Sequence, residues 1–456
     1  MKVLFIQAIR QTILEHPLLR VVLIGEDSKR PGWAGLKEID IRWLVSWIEV
    51  ESPHDLTHHY QTTIPSHLDS RFPDLEDRPG WKVTLLHDPH NQHIEVIFAW
   101  NHANFDGVSG KIFHETLLRH LNHPAPSETS DETFISGEVD TNTFPPPQEH
   151  WAKYPITPTY LLSSAWKEFR PRLLTPKTTA NTKATWAPIR TTPFETRVRG
   201  FSVDHHSLTK LLHKCREHHT TLTGLLNAVV LFSLSSQLDE QTAPAFAGGT
   251  ALNTRRFSSP INSLTPENTM ANFVSAVEHH FTVAETREIR KVLGGGSSGV
   301  PHTQEVQGMV WKIASRVREE IQARLDKGTR NDIVGLMRVV TDWRGTVKSQ
   351  TRKPRSLSWN VSNIGVLDGG GLSEEGSGDA VWCCGRAAFV MGGEVAGAAV
   401  NVGAVSVKGK GLEVSVSWQD CAVEVGVGEQ LVKDLESWLR WMSEGGSSVH
   451  DEAAEV

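Results

Sequence analysis

Apolar residues in the N-terminal half switch repeatedly between a helical and a strand-like period. Val3, Ile6, Ile9 and Ile13 share one face of a helix that closes at Pro17, and Leu19, Val21 and Leu23 then lead into extended chain. Ile39, Ile41, Trp43, Val45 and Trp47 alternate with Asp40, Arg42 and Ser46, which predicts one strand with a single buried face. Two further strands, Trp81 to His87 and His93 to Trp100, flank the turn residues Asp88-Pro89-His90-Asn91 and predict a hairpin. Asn122 to Pro147, rich in Pro, Ser, Thr and acids, reads as an exposed loop.

The C-terminal half opens with a strand near Phe201 and helices around Leu208–Cys215 and Leu222–Leu238. Helices over Gln304–Leu325 and Ile333–Val340 follow. Four strands are expected next: Leu357–Ile364, Val381–Met391, Ala398–Val407 and Leu412–Trp418. Lys408-Gly409-Lys410-Gly411 turns the last two into a hairpin. A closing helix from Glu429 to Met442 aligns Leu431, Leu435, Trp438 and Met442 on one face. Gly294–Gly296 and Gly369–Gly371 read as mobile loops. The boundaries expected are an N-terminal half over 1–165, a crossover over 166–195, a C-terminal half over 196–445 and a disordered tail over 446–456.

Length and composition narrow the class. A chain of 456 residues exceeds one ordinary core and suggests two domains. Apolar content of 39% and charged content of 22% are those of a folded soluble protein. A net charge of −7 gives no electrostatic case for nucleic acid. No run reaches the roughly 18 apolar residues of a membrane span, and the opening lacks a cleavage site, so a cytoplasmic protein is expected. The four cysteines form no Cys-x-x-Cys pair, and Cys383-Cys384, in an apolar run, reads as buried thiols. The pairs His205-His206, His218-His219 and His279-His280 lack metal-ligand spacing and read as solvated, so no metal is expected.

One segment carries chemistry. Of 22 histidines, only His102 is followed four positions later by Asp, here Asp106, and then by Gly107. The motif stands between the strand ending at Trp100 and a helical pattern with Ile112, Phe113, Leu117 and Leu118 on one side. A strand-to-helix corner fixes the backbone while presenting an imidazole, whose unperturbed pKa near ~6.5 suits it to take a proton from a hydroxyl at neutral pH. Asp106, on the same tight corner, more naturally turns away and pairs with a cation, and Gly107 permits a sharp turn or close backbone approach. A purely structural role is equally open: His102 as a semi-buried ring and Asp106 as the N-cap of the following helix.

The segment Trp100-Asn-His-Ala-Asn-Phe-Asp-Gly-Val-Ser-Gly110 resembles the active-site motif of the chloramphenicol-acetyltransferase-like superfamily. The greatest likeness is to the fungal alcohol acetyltransferases. His16-Pro17-Leu18-Leu19, the tryptophan-rich strand and Val361-Ser-Asn-Ile-Gly365 fall in the family's order. The resemblance implies an α/β fold of two similar halves, each a mixed sheet with helices, and an active-site tunnel between them with His102 at its middle. It also implies transfer of an acetyl or other short acyl group from acyl-CoA to a small or secondary-metabolite alcohol, with no permanently bound cofactor, by a monomer.

Leu252-Asn-Thr-Arg255 resembles the motif whose Arg pairs with the motif Asp. That implies Arg255 as the partner of Asp106, with Arg256 as the neighbouring alternative. Ser362 and Asn363 resemble the donors near the tetrahedral intermediate, or else only shape a bulge. Lys348, Arg352, Lys353 and Arg355 form a basic cluster that either meets the CoA phosphates or is a solvated face.

The sequence also departs from the family. Asn101 replaces the first of two adjacent His in condensation domains, which disfavours a carrier-protein donor, and the plant-type Asp-Phe-Gly-Trp-Gly is absent. The family usually begins with a strand and helix ahead of the point where this chain starts, so one strand fewer is expected in the first sheet. The rival readings are carrier-protein-dependent transfer or condensation, and a degenerate non-catalytic binding protein.

Overall fold

The computed structural model describes residues 1–90, 93–124, 133–171, 174–294, 299–370 and 382–444. The expected tail over 446–456, Asn91 of the hairpin turn, residues 125–132 of the expected loop, Gly295, Gly296, Gly371 and Val381 lie outside the described residues. In the N-terminal half, α1 (Lys2–Glu15) precedes β1 (Val21–Ile24), β2 (Gly32–Gly35), β3 (Glu38–Asp40), β4 (Val45–Glu49), α2 (Pro53–Asp69), β5 (Trp81–Asp88), β6 (His93–Trp100), α3 (Gly107–Asn122) and β7 (Phe134–Ser136). Short α4 (Gln148–Trp151), α5 (Pro158–Phe169) and α6 (Lys177–Asn181) lead onward. The C-terminal half runs β8 (Thr196–Val203), α7 (His205–Glu217), α8 (Leu222–Gln237), β9 (Phe246–Asn253), β10 (Val274–Phe281), α9 (Val283–Leu293), α10 (Gln304–Asp326), α11 (Ile333–Leu336) and α12 (Trp343–Gln350). It closes with β11 (Trp359–Leu367), β12 (Val400–Val407), β13 (Leu412–Gln419) and α13 (Val425–Ser443).

Each half is a mixed sheet with helices. The first sheet is β4-β5-β6, with β4 parallel to β5 and β6 antiparallel to it. The second is β10-β9-β11-β12-β13-β8, parallel only across β9/β11/β12. Its buried centre explains α8, which is apolar around its whole circumference and lies between the sheet and the outer helices α10 and α13. The second core gathers around this helix.

The first core includes Met270, Ala271 and Phe273, which come from the C-terminal half. A second crossing brings Trp382 onto Phe5 edge-on at 5.1 Å, tied by two hydrogen bonds to Asn122. The two halves therefore share packed side chains, and the motif corner lies at the seam.

Several expectations fail for local reasons. Ile39–Trp47 is not one strand: Asp40 accepts from the Arg42 backbone N–H at 3.0 Å and starts a 3-10 turn over Ile41–Trp43 before β4 resumes. Trp43 is left exposed beneath the Arg78 guanidinium. From Trp382 to Met391 no ladder forms; β13 is already paired on both sides by β12 and β8, and only its Ser415 and Ser417 side chains reach the carbonyls of Phe389 and Met391. Cys383, on that segment, is exposed rather than buried. His279 is wholly buried rather than solvated, held between Thr250 and Glu320. The Asn122–Pro147 stretch contains β7, which pairs with β3. Strand β10 lacked any expected signal, and in β9 the alternation is erased by Gly248, where a Cβ would run into the Trp359 ring. Among the described residues no helix is long and apolar enough to cross a membrane.

Candidate active site

The corner between β6 and α3 is fixed from all sides. The Asn101 N–H donates to the Gly80 carbonyl at 2.7 Å, and its side-chain oxygen takes the Ala103 N–H at 2.9 Å. Trp100 Nε1 reaches forward to the Phe105 carbonyl at 2.8 Å. Asn272, from the C-terminal half, donates to the carbonyls of His102 (2.8 Å) and Ala103 (3.0 Å). The backbone that presents His102 is thus pinned across the seam by a residue that no spacing pattern reveals.

Asp106 holds both roles left open by the sequence. As N-cap of α3, its Oδ1 accepts from the Ser109 N–H and hydroxyl, each at 2.8 Å. The same carboxylate receives Arg255 through Nη1 at 2.6 Å and Nη2 at 3.0 Å, and Phe273 N–H at 3.0 Å. Arg255 adds bonds to the carbonyls of Pro266, Thr269 and Ala271 and lies 4.6 Å over the Phe273 ring. The pair's side chains are only 4% and 2% exposed. Burial of opposite charges is tolerated here because nearly every donor and lone pair has a partner. Asp106 therefore bonds into the seam and not toward the His102 ring. Ser109, three residues on from Asp106, was legible only as part of a helix N-terminal capping pattern.

Gly107 supplies close approach. A Cβ there would lie 2.8 Å from both Ile364 of β11 and the Phe389 ring. This contact brings Val361-Ser-Asn-Ile-Gly365 against the start of α3. Val361 is buried toward the core and Asn363 bonds Thr223 of α8 at 3.3 Å, so these two share one face of β11. Strand alternation leaves Ser362 on the face that receives α3. Asn363 also takes the Gly365 N–H at 3.0 Å, where Gly365 adopts φ of 83° in a bulge, so its amide is committed to shaping the strand.

The basic cluster disperses. Arg355 is 1% exposed and donates to the carbonyls of Ala187, Glu394, Gly397 and Ala398, so its expected contact with CoA phosphates is replaced by a structural role. Lys353 is ion-paired with Glu168, and Arg352 lies on the exposed turn after α12.

The His102 ring itself is exposed, on the wall of a cleft of about 670 Å³. Its rim joins the halves: Asp27, after β1, is ion-paired with Arg344 of α12. Among the described residues the ring has no hydrogen-bond partner, so both nitrogens are available to a ligand.

Two halves built on mixed sheets, meeting at a buried Asp–Arg pair beneath an open histidine, define a chloramphenicol-acetyltransferase-like fold. Within that class the resemblance is to the alcohol acetyltransferases, whose family model matches residues 67–289. The chain is 27% identical to a probable alcohol acetyltransferase, FCK4, of Fusarium pseudograminearum, over 96% of this chain and 86% of that one. It is 22% identical to the probable alcohol acetyltransferase crmB of Aspergillus fumigatus over 90% and 84% of the two chains. The structure of TRI3, a trichothecene 15-O-acetyltransferase from Fusarium sporotrichioides, superposes with a TM-score of 0.68. That match is 13% identical and covers 97% of this chain and 86% of that one.

Proposed function

We propose that the protein moves an acetyl or other short acyl group from acyl-CoA to an alcohol hydroxyl, with His102 as general base. The observation that carries this reading is an imidazole open to a cleft, without a hydrogen bond to protein among the described residues, on a backbone locked by Asn272 and by the Asp106–Arg255 pair. The similarity to alcohol acetyltransferases supports the alcohol as acceptor and acetyl as the group moved.

The acceptor oxygen attacks the thioester carbonyl carbon while His102 takes the hydroxyl proton. The tetrahedral intermediate then expels the thiolate, breaking the C–S bond, and the imidazolium returns its proton to sulfur. No covalent enzyme intermediate is required. The rigid loop contributes orientation, which is among the largest sources of rate when two substrates meet. Ser362, on the face turned toward α3, is the hydroxyl donor assigned to the oxyanion, a role worth about 3 kcal/mol when such a donor is removed.

The test is release of free CoA thiol from acetyl-CoA with an alcohol panel, alongside an acyl-thioester on a carrier protein. Acyl transfer from CoA that falls by about 10²–10⁴-fold in His102→Ala, with unchanged circular dichroism, supports the proposal. A mutant within a few-fold of wild type removes His102 from the chemistry, and transfer only from the carrier replaces the donor.

A further inference from the structure

Helix α5 is mounted with its polar side inward. Tyr160 and Ser164 are the only half-buried residues of the helix, and Glu168 continues the same face one turn on. Glu168 is ion-paired with Lys353 and accepts from the Gln350 side chain of α12 at 3.2 Å. At the other end Asn331, just ahead of α11, accepts the Thr157 N–H at 2.9 Å and hydroxyl at 3.1 Å, and Thr157 caps the helix. Polar groups thus hold α5 at its two ends.

The opposite face is apolar and turned to water. Leu162, Trp166 and Phe169 recur at helical spacing and are 70%, 56% and 83% exposed, with Leu161 beside them at 39%. No residue of the helix is buried. A short helix that buries nothing gains little from tertiary packing, and a contiguous exposed stripe of this kind marks an interaction surface. The elements at its two ends extend the stripe's surroundings with Ile333 of α11 and Val347 of α12, 59% and 62% exposed.

Charge identifies the occupant. Residues 158–170 and 327–353 hold nine Lys and Arg against three Asp and Glu, a net +6 in a chain whose total is −7. All three acids are engaged within the protein: Asp332 is buried against Arg324, Asp342 caps α12 and Glu168 is paired with Lys353. Lys167 on α5 and Lys348 on α12 are exposed. A second copy of the chain docking through the same face would set one basic surface against another, which disfavours a symmetric pair.

We infer that α5 and its basic surroundings dock on an anionic lipid bilayer, with the helix lying flat among the headgroups and Leu162, Trp166 and Phe169 inserted. A tryptophan at headgroup depth, leucine and phenylalanine below it and lysines toward lipid phosphates is the arrangement of a helix that lies on a membrane rather than spanning it. Helix α12 ties this surface to the cleft: its first turn carries Arg344 on the rim, and its last residue, Gln350, holds α5.

The test mixes the full chain with vesicles of phosphatidylcholine alone, or with about 30 mol% phosphatidylserine, and measures co-flotation at about 0.05 M and about 0.5 M NaCl. Wild type is expected to bind the phosphatidylserine vesicles at least about tenfold tighter than phosphatidylcholine alone, and to lose most of that preference at high salt. Trp166→Ser/Phe169→Ser should weaken binding about tenfold or more, because the inserted apolar area is gone. Lys167→Glu/Lys348→Glu should abolish the preference for phosphatidylserine. Both double variants should keep the wild-type circular dichroism, since all four side chains are exposed. Failure of wild type to float with phosphatidylserine vesicles, or binding unmoved by the Trp166/Phe169 changes, overturns the inference. A dimer seen by light scattering and lost in Trp166→Ser/Phe169→Ser also overturns it, by giving the stripe to a second copy.

Discussion

Replacing Asp106 with Asn alters one atom and one charge at the seam between the halves. In the native protein the carboxylate accepts five bonds, from the Ser109 N–H and hydroxyl, both Arg255 nitrogens and the Phe273 N–H. Asparagine keeps one oxygen, enough to cap α3, but its NH₂ meets Arg255 Nη1 and the Phe273 N–H as donor against donor. Arg255, only 4% exposed, then keeps a buried charge with no counter-ion. Breaking one member of such a pair costs about 3–5 kcal/mol. With a urea dependence of about 3 kcal/mol per molar for a large domain, the unfolding midpoint falls by about 1–1.7 M. Tryptophan fluorescence reports it, since the first core contains Trp81 and Trp151. Arg255→Met is expected to cost a similar amount. The double substitution should cost clearly less than the sum, because each single change strands the other partner. A midpoint shift below about 0.3 M for Asp106→Asn, or strict additivity in the double variant, refutes the claim that this pair locks the seam.

Two other perturbations test the site and its support. Gly107→Ala places a methyl 2.8 Å from Ile364 and Phe389, and should cost about 1–3 kcal/mol while separating α3 from β11, read as a lowered urea midpoint and reduced acyl transfer. An unchanged midpoint would show that the contact gives way freely. His16 is buried against Thr116 at 3.0 Å, and burial, with smaller contributions from Arg119 and His120 opposed by Glu15, brings its pKa down to about 4. The unfolded chain therefore binds the proton first. The stability linked to His16 is complete above about pH 6.5 and is lost progressively as pH falls toward 4, by an amount on the order of 3 kcal/mol. His16→Gln should remove that part of the acid dependence of the urea midpoint, and parallel profiles for wild type and variant would contradict it.

The residues of the candidate site are legible because their signal is local. His102, Asp106 and Gly107 sit within six positions at a strand-to-helix corner, and hydrophobic period alone locates that corner between β6 and α3. The long helices α10 and α13 are equally plain, since a period of 3.6 over nineteen or more residues has few rival explanations. Elsewhere a side chain overrode the period. Asp40 breaks an alternating run into two strands, and the Trp382–Met391 run finds no open edge on β13, which is paired on both sides.

What holds the site together could not be read from spacing, because its partners are brought together only by the fold. Arg255 lies 149 positions from Asp106, and resemblance rather than periodicity pointed to it. Asn272 lies 170 positions from the His102 carbonyl that it grips, in a segment with no distinguishing pattern. Arg355 reads from the sequence as a contact for the CoA phosphates or a solvated charge, because a run of basic residues looks the same whether its members point to solvent or inward to carbonyls. The sequence by itself determined the corner and the histidine it presents, since both follow from short-range geometry. Only the tertiary structure decided which side chains lock that corner, since those depend on how two separately folded sheets meet.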